Sequence, residues 1–219
     1  MQLKEVKRGE MFEHCGHKWI VLGHNTAHTL ALSEDIIDVM PFDVNNCNNW
    51  AKSSLRVYLN ENFFKKLRGN KTADELGFCL YHLDLTTDDG LKDYGSSDDY
   101  IFLLTDDLYR RNRDVIKPVD DWWWTATGVS AYAAHSCYSR NVGTDGSLNY
   151  SSAYYGGVGV RPACYLKSDL LLSEPEELTV EDEIKKKILE LDEILKLDSE
   201  TRKTVLNYVD YLLKERGIK

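Results

Sequence analysis

The sequence predicts an α+β fold made of many short, twisted antiparallel strands with one or two helices, and three observations lead there. Short runs of strand-forming residues recur over the first 170 or so positions, punctuated by Gly, Asn and Asp. One longer stretch, 48–67, spaces its apolar residues as a helix does. After Pro175 glycine nearly vanishes and the apolar residues take up a helical period.

The elements follow in order. The apolar runs 18–22 and 29–32 flank a polar Gly23-His24-Asn25-Thr26 segment, which is a hairpin pattern. In 48–67, Trp50, Leu55, Leu59, Phe63, Phe64 and Leu67 form an apolar stripe, and Ser53 or Ser54 can cap it. Residues 68–99 are polar, with turn signals at 86–90 and 94–99 around Phe78-Cys79-Leu80. A short strand at 101–104 precedes a charged helical turn at 106–113. Several strands joined by glycine turns then fill 122–165, with Thr144-Asp145-Gly146-Ser147 as a tight turn. Ile184, Ile188, Leu191 and Leu195, then Val205, Val209, Leu212 and Leu213, predict a two-helix hairpin over 180–219, the second helix capped by Asp198 or Ser199. The chain thus divides into a domain at 1–172 and a helical hairpin at 180–219. The hairpin's stripes must bury against that domain or another chain, and homo-oligomerisation through it is the working expectation.

With 219 residues, 42% of them hydrophobic and 29% charged, the composition is that of a soluble globular protein. A formal net charge of −9 argues against coating nucleic acid, an affinity that comes from Lys and Arg neutralising phosphates. No apolar run has the length of a signal peptide or membrane span, so the expected compartment is cytoplasmic or virion-associated. Five cysteines at irregular spacing are not a disulfide framework.

The mixture of residue types in 121–166 is that of a recognition surface. Tyr and Trp give large contact area with few rotors to freeze, while Ser, Gly and Asn give adaptable hydrogen bonds. Within it, Trp122-Trp123-Trp124 belong to the frame: successive strand residues alternate faces, so at least one is core. Arg161 is expected to be a partly buried structural arginine paired with an acid, because buried charge must be partnered.

Inorganic ligands fare less well. His14-Cys15-Gly16-His17 has zinc-ligand chemistry but no second pair at metal-site spacing, so a hairpin edge is expected and no metal site is assigned. Asp84, Asp88, Asp89, Asp98 and Asp99 are the residues to watch for calcium, although no EF-hand pattern is present and acidic loops are usually just solvated. No cofactor is assigned.

The segments Trp122-Trp123-Trp124, Asp145-Gly146-Ser147 and Gly159-Val160-Arg161-Pro162-Ala163 resemble the motifs of a bacterial and phage domain of unknown function. The blocks at 19–22, 32–36, 54–60 and 101–104 resemble its earlier segments, so the resemblance covers roughly 3–170. It implies a C-type-lectin-like fold, shared with formylglycine-generating-enzyme-like domains and with the variable proteins of diversity-generating retroelements. In such variable proteins adenine-containing codons near the end of the fold are rewritten while the scaffold stays fixed. The corresponding segment here is 130–155. Its expected exposed, ligand-binding set is Ser130, Tyr132, His135, Tyr138, Arg140, Asn141, Asn149, Tyr150, Ser152, Tyr154 and Tyr155.

The resulting expectation is a non-catalytic binding protein that recognises a protein or other macromolecule. Two alternatives stand beside it. One is a formylglycine-generating-like oxidase or modifying enzyme using Cys137 and Cys164. The other is an intracellular scaffold or regulatory protein acting through its C-terminal helices.

Overall fold

The computed structural model describes residues 1–172 and, beyond them, Thr201, Lys203, Asn207 and Tyr208, which are helical. Residues 1–172 and 173–219 are separate compact units. The expected hairpin over 180–219 therefore lies almost wholly outside the described residues.

The first unit is α+β, with two main sheets. In the larger, strands β1 (Met11–His14), β2 (His17–His24) and β3 (His28–Ser33) form an antiparallel meander. Next to β3 lies β13 (Pro162–Lys167), whose far side takes β5 (Phe78–Cys79) and β8 (Ile101–Leu103). Val21, Leu22, Ala31, Leu32, Cys164 and Leu166 have no exposed surface in this sheet, as expected for near-continuous apolar runs. The β1–β2 turn runs through Cys15 and Gly16, both at positive φ, so His14-Cys15-Gly16-His17 is a tight hairpin turn. His14 bonds the Leu76 carbonyl and His17 the Ser33 hydroxyl.

The second sheet has the order β11 (Leu148–Ser152), β10 (Tyr138–Val142), β9 (Trp123–Gly128), β12 (Gly159–Val160) and β4 (Asp38–Val39). A separate ribbon joins β6 (Tyr81–Asp84) to β7 (Ser96–Asp99). The stretch expected as one helix is a 3-10 turn at Trp50–Lys52 followed by α1 (Ser54–Val57), a π-helical segment at Tyr58–Phe63 and α2 (Phe64–Arg68). Ser53 is the cap, its Oγ accepting from the Arg56 amide at 3.1 Å. The π segment accommodates Asn60, whose side chain bonds both the amide and the carbonyl of Ile101. The charged turn is α3 (Asp106–Asn112), capped by Thr105.

Two expectations about the frame are refined. Trp122 is partly exposed, but Trp123 and Trp124 are both buried, because β9 is covered on both faces. Trp123 meets Tyr109 of α3 at 5.6 Å, while Trp124 meets Phe42 at 5.8 Å and donates to the Met40 carbonyl. Arg161 is fully buried and is not paired with an acid. It donates to the carbonyls of Ser33, Glu34 and Lys117 and lies 5.4 Å from the Trp123 ring centroid. Burial pushes its pKa down to about 10, although Asp35 favours the charge. Three carbonyl dipoles and a ring face take the place of the expected carboxylate.

Candidate functional site: a tyrosine rim

At one end of the five-stranded sheet β9 and β11 finish and β10 begins. The loops 129–138 and 153–158 leave from that same end, and the loop 43–48 meets them there. Tyr132, Tyr150, Tyr154 and Tyr155 are 66, 59, 62 and 57% exposed, and His135 is exposed beside them. Tyr138 is half-buried, its ring edge-on to Tyr150 at 5.7 Å. Asn149 and Ser152 are half-buried as well.

Burying one of these phenol rings in an interface would remove much apolar area at little rotamer cost. Between positions 130 and 155 only Arg140 and Asp145 carry a formal charge, in a chain with 63 charged residues (27 + 36), while five of its 13 tyrosines fall there. Depletion of charge with enrichment in aromatics is the composition of an interface centre.

Two buried side chains, Asn48 and Asp43, and the exposed Asn46 hold these loops in place. Asn48 Nδ2 donates to the carbonyls of Ser130, His135 and Tyr138, and its Oδ1 accepts from Tyr94 at 2.6 Å. Asp43 accepts from the backbone amides of Asn45, Cys47 and Ser54. Asn46, at φ 58°, accepts from the Ser152 hydroxyl and from the Tyr154 amide at 3.1 Å. Asparagine tolerates that left-handed backbone better than most residues. The Tyr155 ring lies across Gly157, where an added Cβ would sit 2.7 Å from the phenol oxygen.

Three members of the expected exposed set are corrected. Ser130 is 3% exposed, because its carbonyl is taken by Asn48 and its hydroxyl accepts from the Tyr132 amide. Asn141 is 0% exposed, since it lies on an interior strand opposite Trp124; its Nδ2 donates to Ser151, and its Oδ1 is buried without a protein partner. Arg140 is mostly buried, its Nε 3.0 Å from Asp106 and 3.6 Å from Asp88. Burial raises the Asp106 carboxyl above its usual range, against the pull of Thr125 and Arg140.

No motif in the sequence marks Asp43, Asn46, Asn48 or Asp106 as functional. Asp43, Asn46 and Asn48 lie in a run, Asp43-Val44-Asn45-Asn46-Cys47-Asn48-Asn49, whose Asn and Asp density is the one available signal.

The other candidates are accounted for individually. Asp84 bonds Thr86, Asp88 pairs with Arg110, Asp89 accepts from Thr87, Asp98 pairs with His82, and Asp99 holds Arg56, Trp50 and Ser97. Among the described residues no group of three or more His, Cys, Asp or Glu is placed to hold a metal ion. Cys164 is fully buried in β13, which pushes its thiol well above the ordinary value, while Cys137 is half-buried next to β10 in the other sheet. Two open grooves, of about 580 and 650 Å³, share Asp35 in their walls and contain none of the rim residues. No helix among the described residues is long and apolar enough to cross a membrane.

The profile of a domain of unknown function, DUF6273, matches residues 72–168, which takes in β5 to β13 and most of the rim. Nothing similar was found among curated proteins or among solved structures.

Proposed function

We propose that this chain is a non-catalytic binding protein that presents a variable-type recognition surface on a C-type-lectin-like scaffold, with a folded macromolecule, most simply a protein, as ligand. The observation that carries this reading is the group of four exposed tyrosines, with Tyr132, Tyr154 and Tyr155 on loops anchored by Asp43, Asn46 and Asn48 and Tyr150 on the adjoining strand β11. Anchored loops let exposed side chains change without unfolding the domain, as a diversity-generating retroelement variable protein requires.

Capture from a display library of folded domains tests the binding reading. Tyr132→Ala, Tyr154→Ala and Tyr155→Ala should each leave stability within about 0.5 kcal/mol, as surface changes do. At least one should weaken capture by about 30-fold, the effect of losing roughly 2 kcal/mol at a hot spot. Unchanged capture by the triple variant sinks the reading. Diversification is tested separately in the genome. A near-copy of the DNA encoding residues 122–162, beside a reverse-transcriptase gene, should differ at adenines in codons of the exposed positions and spare Ser130 and Asn141; without such a copy, diversification fails.

A further inference from the structure

Strand β11 has a hydrogen-bonded neighbour on one side only. Its ladder with β10 is bracketed by two backbone bonds, Gly143 N–H to the Ser147 carbonyl and Ala153 N–H to the Cys137 carbonyl. Antiparallel pairs alternate, so Ser139 with Ser151 and Asn141 with Asn149 are the pairs that exchange bonds. The N–H and C=O groups of Leu148, Tyr150 and Ser152 consequently face away from β10. Ser152 O already accepts from the Tyr155 amide; no described backbone group bonds Leu148 or Tyr150 from the open side.

Native proteins guard such an edge with charge, proline, a bulge or brevity. The other open edges here have such guards. Strand β1 carries Glu13; β4 is two residues long with Asp38; β5 and β8 are only two and three residues long; β6 and β7 carry Asp84, Asp98 and Asp99. Strand β11, Leu-Asn-Tyr-Ser-Ser, has none of these devices. It is also self-complementary. Its outward residues are symmetric about Tyr150, so in an antiparallel two-fold pairing Tyr150 meets Tyr150 and Leu148 meets Ser152. A chain of net charge −9 repels its own copy, yet this contact brings no formal charge against another.

We infer that β11 is a docking edge for a second copy of this chain. Two copies pair β11 to β11 about a two-fold axis at Tyr150, joining two five-stranded sheets into one of ten. The two copies then present their loop rims at opposite ends of the joined sheet, which gives two recognition surfaces per dimer without any new ligand contact. The pairing requires no ligand, so it stands or falls separately from the recognition reading.

The test uses the full chain, by sedimentation across a concentration series with hydrogen exchange on the same samples. The expected result is a doubling of mass as concentration rises, with the Leu148 and Tyr150 amides becoming protected in step. Tyr150→Pro removes only an outward N–H, which an edge strand tolerates. Tyr150→Lys keeps the backbone and sets two like charges at the axis. Both should remain monomeric, and the lysine variant keeps the test decisive if the proline variant fails to fold. A wild-type chain that stays monomeric throughout, or a dimer that persists in Tyr150→Lys with unprotected β11 amides, overturns the inference.

Discussion

The two sheets of the first unit use burial in opposite ways. In the six-stranded sheet, β2, β3 and β13 bury mainly aliphatic side chains, with Trp19, a thiol and the hydroxyls of Thr29 and Ser33 among them. The five-stranded sheet buries two tryptophans on its central strand, but toward its outer strands it buries Ser139, Asn141 and the Asp106–Arg140 pair, with Asp43 and Asn48 beneath its loops. Apolar packing gives stability and is indifferent to where a loop points. Buried hydrogen bonds have direction, so they fix loop geometry.

The sharpest test of that contrast is Leu32→Ala in the six-stranded sheet. Truncating this fully buried side chain should cost about 2–5 kcal/mol of global stability, read from urea unfolding, with loop exchange in the folded state unchanged. Asn48→Ala is its counterpart in the other sheet. It removes one hydrogen bond from each of three carbonyls and from the Tyr94 hydroxyl, and should cost about 1–3 kcal/mol. Its distinguishing mark is faster hydrogen exchange confined to 129–138; equal acceleration in β2 and β3 would break the comparison.

The smallest expected effect is one of pH and belongs to the six-stranded side. His14 and His17 are held below the ordinary histidine pKa, in both cases chiefly by burial. A depressed folded-state pKa contributes stability above the unfolded value, about 6.5, and that stability is lost as pH falls through the folded values. The melting temperature should therefore drop on acidification from pH about 7 to about 5, and His14→Gln should flatten the slope. A slope unaltered by that change would remove His14 from the account.

The same contrast explains what the sequence revealed. The β2–β3 hairpin, the Ser53 cap, the strand at 101–103, the turn in α3 and the Asp145-Gly146 hairpin were all legible, because apolar period and turn residues encode them directly. The rim was half legible. Tyr132, Tyr150, Tyr154 and Tyr155 are exposed as expected, whereas Ser130, Asn141 and Arg140 are inside. Short polar residues look alike in sequence whether they face water or hold a loop from beneath, and which of the two occurs depends on contacts across the chain, such as Asn48 with Tyr138. The π turn at 58–63 was also hidden, since it depends on Asn60 reaching Ile101.

Arg161 marks the point where the chain changes sheets: Val160 belongs to β12 and Pro162 to β13. A pull on Tyr154 would be passed along the short run to Pro162 and into the β3–β13 ladder, loading it along the strands rather than opening it bond by bond. A large ligand held at the rim, as proposed, would then load the six-stranded sheet through β13.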